Sequence, residues 1–215
     1  MLFRSKKSIL HLGPTAVFCF LKSDESLNDP DIQINFTPGT HQRGMQSTLE
    51  KRAGFTFATW QHRPESYGYV KARSSDPFEH PEIQPNYLAA ETDQRVILAA
   101  IKICRKLGQT EALKPYVVEE TFPGVACQSD NELLNSAREI GQSIYHLMGT
   151  CRMGSKTDKA AVVDNELKVH GIKNLRVIDA SIMPTMVSAN LNAAVMMIAE
   201  KGADMVLGKS VQGLH

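Results

Sequence analysis

The last third of this 215-residue sequence contains a histidine placed where it could move a proton. Residues 145–154 read YHLMGTCRMG, so His146 opens a loop that Gly149 and Gly154 allow to turn tightly. An imidazole ordinarily titrates near pH 6.5, which suits a general base at neutral pH. The alternative is structural: a charged His146 would stabilise the carboxyl end of the helix predicted before it.

Two asparagines, Asn190 and Asn192, precede an apolar helix predicted for residues 193–207. Asparagine is a favoured N-cap residue, so helix capping is one interpretation. The start of a helix also offers free N–H groups and a partial positive charge, which stabilise a nearby anion. Asp179 and Ala180 follow a predicted strand, LRVI, and an aspartate at such a position is typical of a turn.

Other kinds of site are not indicated. The seven histidines and four cysteines form neither HExxH nor CxxC, so no metal site is predicted. No GxGxxG fingerprint occurs in the sequence, and a net charge of +1 gives no electrostatic reason to expect nucleic acid as a partner. The cysteines are far apart in sequence, which predicts reduced thiols in a cytoplasmic protein.

The elements before the loop follow an α+β pattern. Runs of β-branched and aromatic residues predict strands at 15–21, 32–36, 55–60 and 69–72, assembled as one antiparallel sheet. Helical periodicity predicts a helix over 91–107 on one face of that sheet, and a capping box beginning at Ser129 predicts a second helix over 130–145. Residues 167–181 predict a short hairpin and a strand.

The N-terminus has some properties of a targeting signal. Basic residues at 4–7 precede an apolar run at 9–21, but a histidine, a glycine and a proline at 11, 13 and 14 interrupt that run. It is also too short to span a bilayer. A buried strand or loop is therefore predicted, with a signal peptide as the alternative.

Several sequence blocks, in this order, resemble the glucose–methanol–choline family of FAD-dependent alcohol oxidoreductases. They are HRPESYG (62–68), SSDPF with PxIxPNYL (74–88), HLMGTCRMG (146–154), the segment around Asp179, and the Asn-x-Asn pair before the last helix. The resemblance covers about residues 10–208. It implies an antiparallel-sheet substrate-binding region at 10–145, with flanking helices, followed by a catalytic loop and a C-terminal strand–helix segment of the FAD-binding domain at 146–208.

The resemblance also implies roles for individual residues. His146 matches the catalytic histidine that takes the hydroxyl proton of an alcohol while the flavin accepts a hydride. Asn190 matches the second catalytic position, which is His or Asn in the family. Asp179, Ala180 and Asn192 match contacts to FAD. The sequences of the motifs most resemble those of choline-dehydrogenase-like members. The implied substrate is a small-molecule alcohol. The motifs do not specify the electron acceptor.

Because GxGxxG is absent, the N-terminal part of the family's FAD-binding domain is not in this sequence. Two functions are therefore expected as alternatives. The first is the C-terminal catalytic and substrate-binding part of an FAD-dependent alcohol dehydrogenase, which requires that N-terminal domain as a partner. The second is a non-catalytic remnant, or a module of a split enzyme. A cytoplasmic location is expected, with peripheral attachment to the inner face of a membrane as the alternative.

Overall fold

The computed structural model describes residues 15, 17–42, 45–188 and 190–209, and these form two compact units. The first unit contains Met1–Tyr67 and Asn86–Gln142, and the second contains Gly68–Pro85 and Ser143–His215. The predicted division lies between residues 145 and 146, three residues after the structural one, and it does not separate 68–85 from the first region. Residues 10–14 of the predicted substrate-binding region, and residues 9–14 and 16 of the apolar run at 9–21, lie outside the described residues.

The first unit is built on a three-stranded antiparallel sheet. Strands β1 (Val17–Leu21), β2 (Ile32–Thr37) and β5 (Thr56–Gln61) pair in the order β1-β2-β5. Two further short strands that the sequence did not predict, β3 (His41–Gln42) and β4 (Met45–Leu49), pair with each other. The prediction of antiparallel pairing is confirmed for these strands.

Helix α1 (Glu91–Gly108) covers one face of the three-stranded sheet, as predicted. The core between them contains the buried side chains of Ile32, Ile34, Val96 and Ala100. Cys104 packs against this core, and burial raises the pKa of its thiol to about 12. A thiol with such a pKa stays protonated at neutral pH, which agrees with the expectation of structural cysteines.

A buried carboxylate ties the HRPESYG motif to the first turn of α1. Asp93 is 3% exposed and accepts hydrogen bonds from the backbone N–H groups of Glu65 and Ser66, each at 2.9 Å. The hydroxyl of Ser66 also donates to Asp93. A buried carboxylate is stable only with such donors, so the motif has a structural role in this unit.

Helix α2 (Asp130–Ile140) begins with the predicted capping box, in which Ser129 and Glu132 satisfy each other's backbone N–H groups. The prediction that it continues to Tyr145 is wrong. The helix ends at Gly141, whose backbone is extended (φ −60°, ψ 140°), and a Cβ at this position would lie 2.4 Å from the carbonyl oxygen of Ala137. Glycine permits this close approach, and the chain then leaves the helix six residues before His146.

In the second unit, strand β6 (Tyr69–Lys71) pairs with β7 (Glu82–Gln84) in a separate two-stranded sheet. The prediction that residues 69–72 join the main sheet is therefore wrong. A Cβ on Gly68 would lie 2.0 Å from the carbonyl oxygen of Gln84, so glycine at this position lets the two backbones approach and pair. Strand β7 is only three residues long and is flanked by Pro81 and Pro85, and the sequence did not predict it.

The hairpin and strand predicted for residues 167–181 form only isolated bridges. Val163 bridges Met153 and Val169, and Lys168 bridges Arg176. Left-handed backbone conformations at Leu167 (φ 64°), Gly171 (φ 80°) and Asn174 (φ 60°) turn the chain every few residues, so a continuous ladder cannot form.

Helix α3 (Asn192–Val206) covers the core of the second unit, close to the helix predicted over 193–207. The buried side chains of this core come from the bridged segment, the turn after it, the N-cap of α3 and α3 itself: Val163, Leu167, Ile182, Met183, Leu191 and Ile198. None of the helices in the described ranges is long and apolar enough to cross a bilayer.

Gly202 allows α3 to lie directly against Ile178, the residue before Asp179. A Cβ on Gly202 would be 2.3 Å from Cγ2 of Ile178. Gly202→Ala is therefore expected to lower the free energy of unfolding by about 1–2 kcal/mol, because overpacking outweighs the gain in helix propensity. Urea unfolding followed by circular dichroism measures this change.

The matched control is Gly108→Ala at the end of α1, where an added Cβ would meet nothing within 4 Å. This variant is expected to keep or slightly raise the free energy of unfolding, by at most about 1 kcal/mol. Equal unfolding midpoints for the two alanine variants would contradict the close packing of α3 on Ile178.

Candidate active site

His146 lies in a loop that contains left-handed backbone conformations on both sides of it. Tyr145 adopts a left-handed conformation (φ 62°) and Gly149 has φ 89°. The side chain of His146 is half-buried, while Tyr145 and Leu147 are exposed. Because α2 ends at Ile140, the alternative that His146 stabilises the end of that helix does not hold.

The glycine-containing loop is held by backbone hydrogen bonds to the segment after Asp179. The N–H of Cys151 donates to the carbonyl of Ser181 at 2.9 Å, and the N–H of Met153 donates to that of Ile182 at 2.7 Å. A Cβ on Gly149 would lie 3.4 Å from the carbonyl oxygen of Met183. The loop therefore lies along residues 181–183.

The arginine of the loop is paired with an acidic residue that sequence reasoning did not identify. Arg152 forms an ion pair with Asp158. The pKa of Asp158 is lowered, first by the N–H of Ala160 and then by Arg152. The guanidinium is thereby directed toward residue 158, and the ion pair gives Arg152 a role in holding the loop.

Asp179 begins a short 3₁₀ helix, Ala180–Ile182, and its carboxylate accepts from the backbone N–H (2.8 Å) and the hydroxyl (2.5 Å) of Ser181. The side chain of Asp179 therefore stabilises a turn, as the turn-forming interpretation predicted. Asp179 is exposed, and Ala180 is half-buried against the core. Within the described residues, no hydrogen bond is donated by the backbone N–H of Ala180.

The two asparagines do not cap α3, contrary to the capping interpretation. The N-cap residue is Leu191, which has no side-chain acceptor and is buried in the core at 5% exposure. Asn190 and Asn192 flank it and are both exposed. No acidic side chain lies in the first turn. The start of the helix therefore keeps N–H groups available to an anion.

One core brings together the three elements that carry the predicted residues. Met148 of the loop, Ala180 of the turn and Leu191 of α3 all pack in it. His146 precedes Met148 by two residues, and the asparagines adjoin Leu191. No hydrogen bond joins the side chains of His146 and Asn190 in the described part of the chain.

Sequence reasoning missed the anchoring role of Leu191. The signal was present, because positions 191, 194, 195, 198, 202 and 205 repeat at helical spacing and form the buried side of α3. Extending the predicted helix by two residues toward the N-terminus would have identified Leu191 as its first core residue. Among the described residues, no group of three or more His, Cys, Asp or Glu side chains could hold a metal ion.

Comparison with known proteins gives a consistent family match. The C-terminal domain model of GMC oxidoreductase matches residues 64–199. The chain is 42% identical, over 88% of its length, to mitochondrial choline dehydrogenase of Homo sapiens and to oxygen-dependent choline dehydrogenase of Escherichia coli. It spans about a third of these relatives, 32% and 34% respectively.

Among solved structures, the chain is similar to pyridoxine 4-oxidase from Mesorbium loti, with a TM-score of 0.78 and 25% sequence identity. The similarity covers 92% of this chain and 38% of that oxidase. Both kinds of comparison therefore match nearly all of the chain to a minor part of a longer enzyme.

Proposed function

Since the chain belongs to the GMC oxidoreductase family, we propose that it supplies the catalytic residues and the substrate-binding region of an FAD-dependent alcohol dehydrogenase. The supporting observation is the single core that packs the His146 loop, the turn at Asp179 and the start of α3. Because the chain spans about a third of its relatives, the proposal concerns an enzyme that also contains the rest of the family's FAD-binding domain.

His146 acts as the general base in this proposal. Its imidazole accepts the proton of the substrate hydroxyl, and the alkoxide that remains expels hydride from its carbon far more readily than the alcohol would. The backbone hydrogen bonds from Cys151 and Met153 to residues 181 and 182 hold the end of the loop in place, which limits the positions that the imidazole can take.

Asn190 acts on the same substrate oxygen. Its side-chain amide donates a hydrogen bond to the oxygen as negative charge develops there, which stabilises the transition state more than the ground state. In support, the side chain of Asn190 is exposed and is not used as a cap for α3. Capping would engage the side-chain oxygen of an asparagine and fix the orientation of its amide, whereas the exposed side chain of Asn190 can turn its N–H groups toward the substrate.

The residues predicted to contact FAD fit the chemistry of that cofactor. The uncapped start of α3 at Asn192 provides N–H donors and a partial positive charge, which suit the anionic end of a reduced flavin. The N–H of Ala180, which donates to none of the described residues, and the exposed Asp179 provide further polar contacts. When bound, FAD supplies the acceptor for the hydride that leaves the substrate carbon.

The proposed substrate is a small-molecule alcohol. Two relatives are choline dehydrogenases, and the structural neighbour acts on pyridoxine, so the family match favours a CH–OH donor without fixing which alcohol is used. We favour a dehydrogenase over an oxidase because the 42% identical relatives are named as dehydrogenases.

Flavin binding tests the proposal. The isolated chain is expected to bind FAD weakly or not at all, because it has no GxGxxG turn to hold the pyrophosphate. Coexpressed with the remaining two-thirds of the Escherichia coli choline dehydrogenase, which we call the complementary part, it is expected to yield a complex with stoichiometric flavin that alcohol reduces under anaerobic conditions. Absorbance spectra measure both.

Two outcomes would count against the proposal. A stoichiometric flavin spectrum from the isolated chain would show that the GxGxxG turn is dispensable. A flavin-loaded complex that no small alcohol reduces, choline and pyridoxine included, would favour the alternative of a non-catalytic module. The complementary part expressed alone is the control for flavin that it binds by itself.

A further inference from the structure

The carboxylate of Asp158 lies at the centre of the short loop that follows the HLMGTCRMG motif. One oxygen, Oδ1, accepts from the backbone N–H of Ala160 at 2.9 Å, and the other, Oδ2, contacts the guanidinium of Arg152. The backbone N–H of Asp158 donates to the carbonyl of Ser155, and its carbonyl accepts from the N–H of Ala161. One carboxylate oxygen therefore serves the turn, and the other serves the motif.

The side chain of Arg152 depends on this contact. It is 33% exposed, and its Nε is buried and donates to no acceptor in the described part of the chain. Among the described residues, Asp158 is the only carboxylate that forms an ion pair with it. A partly buried guanidinium without an anion is unfavourable, so removal of the carboxylate is expected to release this side chain from its position.

The backbone at Arg152 is the middle of the anchored part of the motif. Its carbonyl accepts from the N–H of Val162 at 2.9 Å, while the N–H groups of Cys151 and Met153, on either side, donate to the segment 181–182. The backbone of these three residues is thus held between two segments of the chain. The arginine side chain adds a third attachment.

Gly154 ends the motif directly against the carboxylate. A Cβ at this position would lie 3.1 Å from Oδ2 of Asp158 and 2.9 Å from the Cβ of Ala161. Glycine therefore lets the loop after the motif pack closely on its end, so the two segments are fixed relative to each other.

We propose that Asp158 is a positioning residue for His146 and acts through Arg152. Met148 packs in the core, so His146 is only two residues from the part of the loop that these attachments hold, and a shift of the loop moves the imidazole. A displacement of about 1 Å can cost about a hundredfold in rate. The inference rests on the proposed function for the role of His146 as the base.

The test removes the charge of Asp158 and keeps its turn. Asp158→Asn retains an oxygen for the N–H of Ala160 but presents no anion to Arg152. In the complex of the chain with the complementary part, the variant is expected to lower the limiting rate of anaerobic flavin reduction, per bound flavin, by about tenfold to a hundredfold. Flavin content and the alcohol concentration at half-maximal rate are expected to change by less than about threefold.

Two arginine variants and a matched ion pair make the test specific. Arg152→Lys keeps a cation for the contact with Asp158, so its rate is expected to stay within about threefold of the parent's. Arg152→Gln is expected to be as slow as Asp158→Asn, and the double variant no slower than either. Glu166→Gln removes an exposed ion pair with Lys168 in the same unit and is expected to leave the rate unchanged.

Amide hydrogen exchange of the chain without flavin measures how firmly the loop is held, independently of the reaction. The N–H groups of Cys151 and Met153 are protected by their hydrogen bonds to the segment 181–182. Asp158→Asn is expected to speed exchange across residues 146–153 by at least about threefold, with no change in α1. Glu166→Gln is the control here as well.

The two measurements separate this inference from the proposed function. If alcohol reduces the parent complex and Asp158→Asn has an unchanged rate per bound flavin, the positioning role is wrong and the proposed function stands, even where the variant loses stability or flavin. If no alcohol reduces the parent complex, the proposed function fails. Faster exchange in Asp158→Asn would then retain Asp158 as the residue that holds the loop, and unchanged exchange would reject it.

Discussion

Replacement of His146 by alanine is expected to slow alcohol-dependent flavin reduction by about a hundredfold to ten-thousandfold, because the substrate hydroxyl loses its general base. Flavin content is expected to stay unchanged, since the proposed FAD contacts belong to the Asp179 turn and to α3. The measurement is anaerobic stopped-flow reduction of the complex formed by the chain and the complementary part.

Added imidazole provides a second measurement of the same role. It is expected to restore part of the reduction rate of His146→Ala in proportion to its concentration, because a small base can enter the space left by the side chain. A purely structural histidine would give a variant with lower stability and no response to imidazole.

His170→Ala is the matched histidine control. The Nε2 of His170 lies 3.2 Å from the carbonyl oxygen of Gly154, and its backbone N–H donates to Val162, so its contacts are those of a turn. The variant is expected to lose about 1 kcal/mol of stability with little change in reduction rate. If it slows reduction as much as His146→Ala does, the assignment of the base is wrong.

The elements that the sequence predicts well are those with strong local signals. Helix α1 has uninterrupted apolar spacing from Val96 to Leu107, and α2 begins with a complete capping box at Ser129, so both starts were predicted correctly. The end of α2 was not, because Gly141 stops the helix through a backbone conformation that no periodicity encodes.

Pairing partners were harder to predict than elements. The pattern of residues 69–72 predicts another strand of the main sheet, whereas in the structure Gly68 lets this strand approach Gln84 closely and pair with β7. Similarly, LRVI has strand propensity, but the left-handed residues around it restrict pairing to single bridges. Strand propensity depends on what lies beside the strand, which a local window does not contain.

The candidate site also has features that the sequence predicts and features that only the fold shows. Its residue types and their chain order were available from the motifs, whereas the shared core of Met148, Ala180 and Leu191 is a property of the fold. The structure also changes the interpretation of the asparagines, because Leu191 occupies the N-cap position and leaves Asn190 without a capping role. A substitution of Asn190 can therefore test its proposed contact with the substrate without removing a helix cap.

Asn190→Ala is expected to cost on the order of 3 kcal/mol of transition-state stabilisation, a rate loss of about a hundredfold to a thousandfold, by comparison with other donors to a developing oxyanion. The stability of the chain is expected to change little, because Asn190 is exposed and caps nothing. A capping asparagine would instead lose about 1 kcal/mol of stability. Stopped-flow reduction and urea unfolding together distinguish the two roles.

Two further variants make the test of Asn190 specific. Asn190→His keeps a donor and matches the other residue that the family resemblance allows at this position, so it is expected to retain a rate within about tenfold of the parent. Asn190→Asp has nearly the same shape but no amide donor and a like charge, so it is expected to be slower than Asn190→Ala. If the aspartate variant were as fast as the parent, Asn190 would not contact the substrate oxygen.

The double variant His146→Ala/Asn190→Ala connects the two assignments. Both side chains are proposed to act on one oxygen, and their loops share one core, so their effects on the reduction rate are expected to be less than additive. Once the proton is no longer removed, less negative charge develops on the oxygen and the amide has less to stabilise. Fully additive losses would mean that the two residues act on different steps.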